Sequence, residues 1–417
     1  MAKKNTEQCS LCGRHRKDVK MLIEGVDGRI CDSCSMQAAE IVKENIKNLK
    51  GGANSNMTAR EDLPTPKVIK EKLDEYIIGQ DSAKKYLAVA VYNHYKRVFQ
   101  GSLPGCEEHN DIDIEKSNII MVGPTGTGKT LLARTIAKML HVPFCIVDAT
   151  VFTEAGYVGE DIESILTRLL QDADYDVEST ERGIVFIDEI DKIARKGANP
   201  SITRDVNGEG VQQGLLKLLE GSIVNVPPYG GRKHPEAKMI SVNTKNILFI
   251  CGGAFDGLER VISRRLNTRS VGYSTLNKND VKKDSLLQYV NHTDIKNFGL
   301  IPELIGRLPI LTYLNPLDEE ALKQILTEPK NSIIKQYKKL LKYDGIELNF
   351  EQDVYDYIVK QATIHKLGAR GLRAIVETIM MEAMFEMPSS KEEVLTITLD
   401  YAKEKFENSN FEIQVES

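Results

Sequence analysis

The 417-residue chain contains no tryptophan, so any aromatic role falls to its 15 Tyr and 11 Phe. No apolar run approaches the roughly 18 residues that a membrane-spanning helix needs, and none is expected. Charge of one sign is not in large excess either: 55 Lys and Arg stand against 60 Asp and Glu, a formal net charge of -5. Bulk attraction to nucleic acid or to acidic membrane is therefore not implied, although a local basic patch is compatible with that balance. The opening residues Met1-Ala2-Lys3-Lys4-Asn5-Thr6-Glu7 carry no apolar signal core, which leads to the expectation of a cytoplasmic protein. A hydrophobic fraction of 41% and a mean hydropathy of -0.29 match globular proteins and argue against fibrous or disordered classes. At roughly 150 residues per domain the length predicts two or three domains. Internal repeats and long low-complexity tracts are absent.

Cysteine is scarce and unevenly placed. Of the 7 in the chain, Cys9, Cys12, Cys31 and Cys34 crowd the start, whereas Cys106, Cys145 and Cys251 are scattered and read as small buried hydrophobes. Cys9-Ser10-Leu11-Cys12 and Cys31-Asp32-Ser33-Cys34 form paired CxxC turns at the spacing of a four-thiolate zinc site. Two disulfides are the weaker reading in a reducing compartment. Four thiolates saturate the ion, so the zinc is expected to be structural and His15 is not needed. Residues 1–48 are thus assigned to a zinc-binding domain, too small to fold on an apolar core alone. Gly51-Gly52-Ala53-Asn54-Ser55-Asn56 marks a flexible linker spanning 49–63.

A second constellation follows. Ser117 to Val122 is a short apolar run suited to a buried parallel strand, and it leads into Gly123-Pro124-Thr125-Gly126-Thr127-Gly128-Lys129-Thr130. This is a phosphate-binding loop between a strand and the helix that Leu131 begins. Its glycines let successive N–H groups face phosphate oxygens, Lys129 is placed to bridge the terminal phosphates, and Thr130 to hold Mg²⁺. Gly183-Ile184-Val185-Phe186-Ile187-Asp188-Glu189 is an apolar strand ending in two carboxylates. Asp188 is expected to orient the metal and Glu189 to act as general base toward water. Arg307 and Arg370 each lie beside glycine, where a guanidinium can reach a phosphate, though each also reads as an ordinary surface arginine. The fold class expected is α/β: a large nucleotide-binding domain over 64–315 followed by a small helical lid over 316–401. Leu372, Ile375, Val376, Ile379, Met380, Ala383 and Met384 give one apolar helical face in that lid. Residues 402–417 read as a polar tail that frays.

Taken together, the phosphate loop, the acidic pair, both arginine motifs and the four-cysteine prefix resemble the ClpX family, AAA+ protein unfoldases that feed the ClpP peptidase. Tyr76-Ile77-Ile78-Gly79-Gln80 and Gly156-Tyr157-Val158-Gly159-Glu160-Asp161 are shared segments, and the likeness covers essentially the whole chain. The resemblance implies that Ile77 and Ile78 line the adenine pocket, that Arg307 is an arginine finger offered to a neighbour, and that Arg370 is the sensor-2 arginine. A finger acting in trans implies the family's homohexamer. It further implies that Tyr157 and Val158 grip substrate polypeptide in a pore, with Arg204 in a second pore loop and Arg232, Lys233 and His234 in a basic collar. Flanking glycines and an aromatic beside a branched apolar side chain fit such a grip. The peptidase-docking loop corresponds to Val271-Gly272-Tyr273, a departure from the Ile-Gly-Phe-like pattern that puts docking strength in question. Expected cofactors are ATP, Mg²⁺ and Zn²⁺; expected partners are ClpP, substrate polypeptides and adaptor proteins. Two alternatives stay open: a nucleic-acid motor of the helicase or clamp-loader kind, and an ATP-gated zinc-dependent scaffold. The acidic pI speaks against the first and the presence of Glu189 against the second.

Overall fold

The computed structural model describes residues 8–24, 28–39, 63–99, 114–153, 160–195, 208–227, 239–269, 283–365, 368–390 and 392–409. The chain divides into two compact units, Met1–Thr58 and Ala59–Ser417.

In the first unit, strand β1 (Leu22–Glu24) pairs antiparallel with β2 (Arg29–Cys31), and residues 32–39 form helix α1. Neither strand is long enough to bury an apolar face, so the unit is organised around its cysteines.

The second unit starts with α2 (Pro66–Asp74), where Pro66 takes a first-turn position that needs no N–H, and α3 (Asp81–Val98). Strands β3 (Ile119–Val122), β4 (Phe144–Asp148) and β5 (Ile184–Asp188) alternate with helices α4 (Lys129–Leu140), α5 (Ser164–Asp172) and α6 (Val177–Thr180). After α7 (Glu209–Glu220), β6 (Ile223–Val226) and β7 (Ile240–Asn243) pair antiparallel. Then come β8 (Leu248–Gly253), α8 (Leu258–Arg269), α9 (His292–Phe298), α10 (Pro302–Gly306) and β9 (Ile310–Tyr313). The sheet order is β4-β5-β8-β3-β9, and every pair is parallel. Helices cover both faces of such a sheet, which is why β3 and β8 are buried at every position and read as unbroken apolar runs. Parallel pairing also brings all the carboxyl ends to one edge: Val122 lies beside Gly253 and Tyr313, and Asp148 beside Asp188. Ligands of open parallel sheets bind at that edge.

Beyond the sheet, α11 (Glu319–Thr327), α12 (Ile333–Tyr343), α13 (Gln352–Ile364) and α14 (Gly368–Glu386) build a second core. Leu372, Ile375, Val376, Ile379, Met380 and Ala383 are buried there, as their spacing predicts, while Met384 at the edge of the same face is only partly buried against that core. Two features were not expected. The small part contains a parallel pair, β10 (Glu347–Phe350) with β11 (Val394–Ile397), beside its helices. The stretch read as a polar tail from residue 402 is instead helical as far as Asn408, in α15 (Leu399–Asn408). Thr398 caps that helix through the Tyr401 N–H, and Ala402 and Phe406 are buried in the small core. A cut at 401 would sever it. Two apolar anchors among many charged residues suffice to dock a short helix, and so sparse a pattern reads as polar.

Candidate functional site

The phosphate loop leaves the carboxyl end of β3 and enters α4. Gly126 (φ 82°) and Gly128 (φ 99°) take left-handed backbone that most residues avoid. Gly123 is glycine for another reason: a Cβ there would meet the Leu314 carbonyl oxygen at 2.8 Å. Thr127 Oγ1 donates to the Pro124 carbonyl at 2.8 Å and braces the turn.

Lys129 is buried, and its ammonium donates to the carbonyls of Gly123 at 2.5 Å and Pro124 at 2.9 Å. Burial lowers its pKa, opposed by Asp188, Asp191 and Asp256, and the charge of Arg370 lowers it further. An ammonium held by two loop carbonyls can exchange them for phosphate oxygens. Thr130 Oγ1 donates to Asp188 Oδ2 at 3.0 Å, so a hydroxyl from α4 and a carboxylate from the end of β5 meet as magnesium ligands require. Asp188 Oδ1 in turn accepts from the Glu189 N–H at 3.0 Å. Glu189 adopts left-handed backbone (φ 55°) and stands exposed beyond the strand end. Burial of part of its carboxyl raises its pKa, and Asp148 and Asp188 raise it further, the direction that makes a carboxylate a better base.

Three neighbours of this centre are not among the residues assigned to it from the sequence. Asp148 faces Asp188 across β4 and β5 and accepts from the Thr150 N–H at 2.8 Å. Asp191 is buried and accepts from the N–H groups of Ala254 (3.1 Å) and Phe255 (3.2 Å), tying the acidic turn to the loop after β8. That loop contains Asp256. The spacing of Asp191 from Asp188 is a visible signal, whereas Asp148 and Asp256 reach the site only through strand order.

The small part closes over the same edge. A Cβ on Gly368, at the start of α14, would lie 3.5 Å from the Thr125 carbonyl oxygen, and Arg370 stands exposed in the first turn of that helix. Ile77 is buried and Ile78 half-buried in the turn between α2 and α3, and α2 packs on α4. Leu131 is exposed in the first turn of α4. Arg307 is brought elsewhere. Its carbonyl accepts from Asn118 Nδ2 at 2.9 Å at the amino end of β3, about 16 Å of strand away from the start of the loop. Its guanidinium pairs with Glu220 at 2.9 Å, both side chains being about half exposed. Tyr157, Val158, Arg204, Arg232, Lys233, His234, Val271, Gly272 and Tyr273 lie outside the described residues.

In the first unit the Sγ atoms of Cys9, Cys12, Cys31 and Cys34 all lie within 4.8 Å of one another. The Cys12 and Cys31 sulfurs are 3.6 Å apart, far beyond a disulfide bond and close to the roughly 3.8 Å edge of a tetrahedron built on zinc–sulfur bonds. Cys9 Sγ accepts from the Cys31 N–H at 3.3 Å and Cys31 Sγ from the Cys34 N–H at 3.5 Å. The Cys9 thiol is drawn down to about 6, chiefly by the Cys12 N–H, and the Cys34 thiol pushed up to about 12, chiefly by hydrogen bonding to the Cys12 thiol. Thiols this crowded cannot all ionise without a cation among them, and a tetrahedral dication fits the set.

Both sites have counterparts among known proteins. The family model for the ClpX C4-type zinc finger matches residues 7–44, that for the AAA domain (Cdc48 subfamily) residues 114–311, and that for the C-terminal, D2-small domain of ClpB protein residues 317–415. A Bacteroides fragilis protein named ATP-dependent Clp protease ATP-binding subunit ClpX is 65% identical over 410 residues, 98% of either chain. The chain belongs to the ClpX family. Its ClpX relative from Bacteroides thetaiotaomicron is 65% identical over 98% of this chain and 97% of its own, and that from Porphyromonas gingivalis 64% identical over 96% of each. The likeness to these relatives thus runs through the zinc finger and the motor domain alike.

Proposed function

We propose that this ClpX-family protein is an ATP-driven unfoldase that threads polypeptide through a central pore. It is an ATPase and not itself a peptidase, and its cofactors are ATP, Mg²⁺ and Zn²⁺. The observation that carries the reading is the meeting of Thr130 with Asp188 at 3.0 Å, with Glu189 next in the chain and the start of α14 on the phosphate loop. In this reading Pro124 to Leu131 wrap the phosphates, Lys129 neutralises their charge, and Thr130 and Asp188 hold the magnesium that polarises them. Glu189 takes the proton of the attacking water. Ile77 and Ile78 face the adenine, and Arg370 carries the charge of the nucleotide into the small part. Arg307, at the opposite end of the sheet from its own loop, is placed to serve a neighbour, which supports a homohexamer.

Tyr157 and Val158 grip the substrate, Arg204 and the Arg232, Lys233 and His234 collar line its path, and Val271, Gly272 and Tyr273 dock on ClpP. Cys9, Cys12, Cys31 and Cys34 hold the zinc of a domain that receives substrates or adaptors. Among the described residues no helix is long and apolar enough to cross a membrane; we place the protein in the cytoplasm, acting on protein and not on nucleic acid.

The test is ATP-dependent loss of fluorescence from a tagged, stably folded reporter, with and without ClpP. Glu189→Gln is expected to abolish turnover while nucleotide binding persists, and Tyr157→Ala to spare hydrolysis while abolishing unfolding. Hydrolysis stimulated by DNA but not by unfolded protein would overturn the reading.

A further inference from the structure

We infer that Gln80 is a positioning residue for the ATP reaction: its side-chain amide pairs with the Asn315 peptide and couples the Ile77–Ile78 turn to the joint between the large and small parts. The inference rests on the reading that nucleotide lies against those isoleucines.

Gln80 Nε2 donates to the Asn315 carbonyl at 2.8 Å, and the Asn315 N–H donates to Gln80 Oε1 at 2.9 Å. The side-chain amide thus makes, with a residue 235 positions away, the two-bond exchange that a paired strand residue makes. Its backbone is left-handed (φ 58°), a conformation unusual for a residue with a side chain, and Gly79 before it has positive φ as well (φ 62°). Two successive residues of this kind turn the chain sharply into α3 and leave the glutamine amide facing Asn315.

The rest of the turn is fastened too. Lys84, almost wholly buried on α3, donates to the Ile77 carbonyl at 2.6 Å and to Asp74 at 2.7 Å. From the small part, the Lys330 N–H donates to the Glu75 carbonyl at 2.9 Å and its ammonium to the Glu75 carboxylate at 2.7 Å. Residues 75–80 are therefore held in the middle by α3, at one end by the small part, and at the other by the joint. The joint itself touches the phosphate loop, because Leu314 is the residue against which Gly123 has no room for a Cβ. A displacement of the small part against the sheet cannot leave the isoleucine turn where it was, and an occupant of that turn acts back on the joint through Gln80. Asn315 is bonded through its backbone, so the pairing places no demand on its side chain. The demand falls on residue 80, where the amide must donate and accept at once.

Three variants of the full chain separate the pairing from the backbone. Gln80→Met keeps the length and the left-handed strain but removes both bonds; Gln80→Glu keeps the acceptor and loses the donor; Gln80→Gly relieves the strain and removes the side chain. For Gln80→Met the KM for ATP is expected to rise about fivefold with kcat changed less than about twofold, a size fitting two partly exposed hydrogen bonds. Reporter molecules unfolded per ATP should fall about threefold, with Gln80→Glu between parent and Met, and Gln80→Gly resembling Met. Parent-like behaviour of the Met variant overturns the inference. So does restoration by glycine, which would leave only backbone conformation, or a parallel loss of kcat and melting temperature, which would mean a merely structural role. If the parent itself neither binds nor hydrolyses ATP, the nucleotide reading falls first, and the Gln80 series is not needed to see it.

Discussion

The two units of this chain solve the same problem by different means. Among its described residues the first unit buries only Cys9 and Cys31, while Leu11 (68% exposed) and Met36 (64%) face solvent. The second buries whole strands, β3 and β8 at every position, and a further core beneath α14. Where a segment is too short to remove apolar surface from water, four thiolates around an ion take over the task of closing the fold. The difference teaches which perturbation each unit should feel, and the largest effect follows directly. Stripping zinc with a chelator, or Cys31→Ser, is expected to unfold the first unit, structural zinc being worth about 10–16 kcal/mol in comparable fingers. Proteolysis should then become rapid within residues 8–39 while ATP hydrolysis persists, since every nucleotide residue named above lies in the other unit. Continued protection of that segment without zinc would break the comparison.

The second unit should instead be sensitive to lost volume. Leu169 is fully buried on α5, its Cδ1 3.0 Å from where a Cβ of Gly183 would be. Leu169→Ala is expected to cost about 2–5 kcal/mol, seen as a lower urea midpoint for the ATPase unit with zinc content unchanged. A loss below about 1 kcal/mol would mean that the site collapses around the gap and that this core is looser than its burial implies.

The contrast also explains what could be read in the sequence. The zinc set, the phosphate loop and the Asp188–Glu189 pair are legible because their chemistry is written in consecutive residues or in short fixed spacings. The apolar face of α14 was legible because a regular helix repeats. Lys84, Gln80, Asp148 and Asp256 were not, because each acquires its partner through strand order or a turn that brings distant segments together. An isolated lysine reads as solvated surface, yet Lys84 is buried against a carbonyl and a carboxylate. Arg307 was legible as an arginine beside glycine, but only strand direction puts it at the far end of the sheet from its own loop. The helix over Leu399–Asn408 was missed because two buried residues in ten carry too little period to be seen.

A subtler difference is pH dependence, which only a unit with a water-excluding core can show in this form. His94 is buried on α3 with its Nε2 3.0 Å from the Asn246 carbonyl oxygen. Burial, aided by the charges of Arg97 and Lys116, pulls its pKa down to about 3 from 6.5. The unfolded chain therefore binds a proton that the folded chain refuses in this window, so the stability His94 confers is full above about pH 6.5 and lost as pH falls toward about 3, by up to about 1.4 kcal/mol per pH unit. The substitution His94→Gln removes the titrating ring but keeps an N–H able to donate to the Asn246 carbonyl, and it should flatten the acid limb of urea midpoint against pH by that amount. Parallel limbs in parent and variant would place the acid sensitivity elsewhere.

The smallest effect is the sharpest check on the first unit. Met36 lies in α1 and is largely exposed, so replacing it removes almost no buried area. Glutamine has nearly the same length and helix propensity, and Met36→Gln is expected to change the unit's stability by less than about 0.5 kcal/mol. Competition with a zinc chelator measures this directly, because in a unit closed by metal any loss of folding appears as a loss of zinc affinity. A shift of more than about tenfold in that competition corresponds to about 1.4 kcal/mol. It would mean that Met36 is covered by packing in solution, and that apolar burial, not the thiolates alone, helps to hold the zinc unit together.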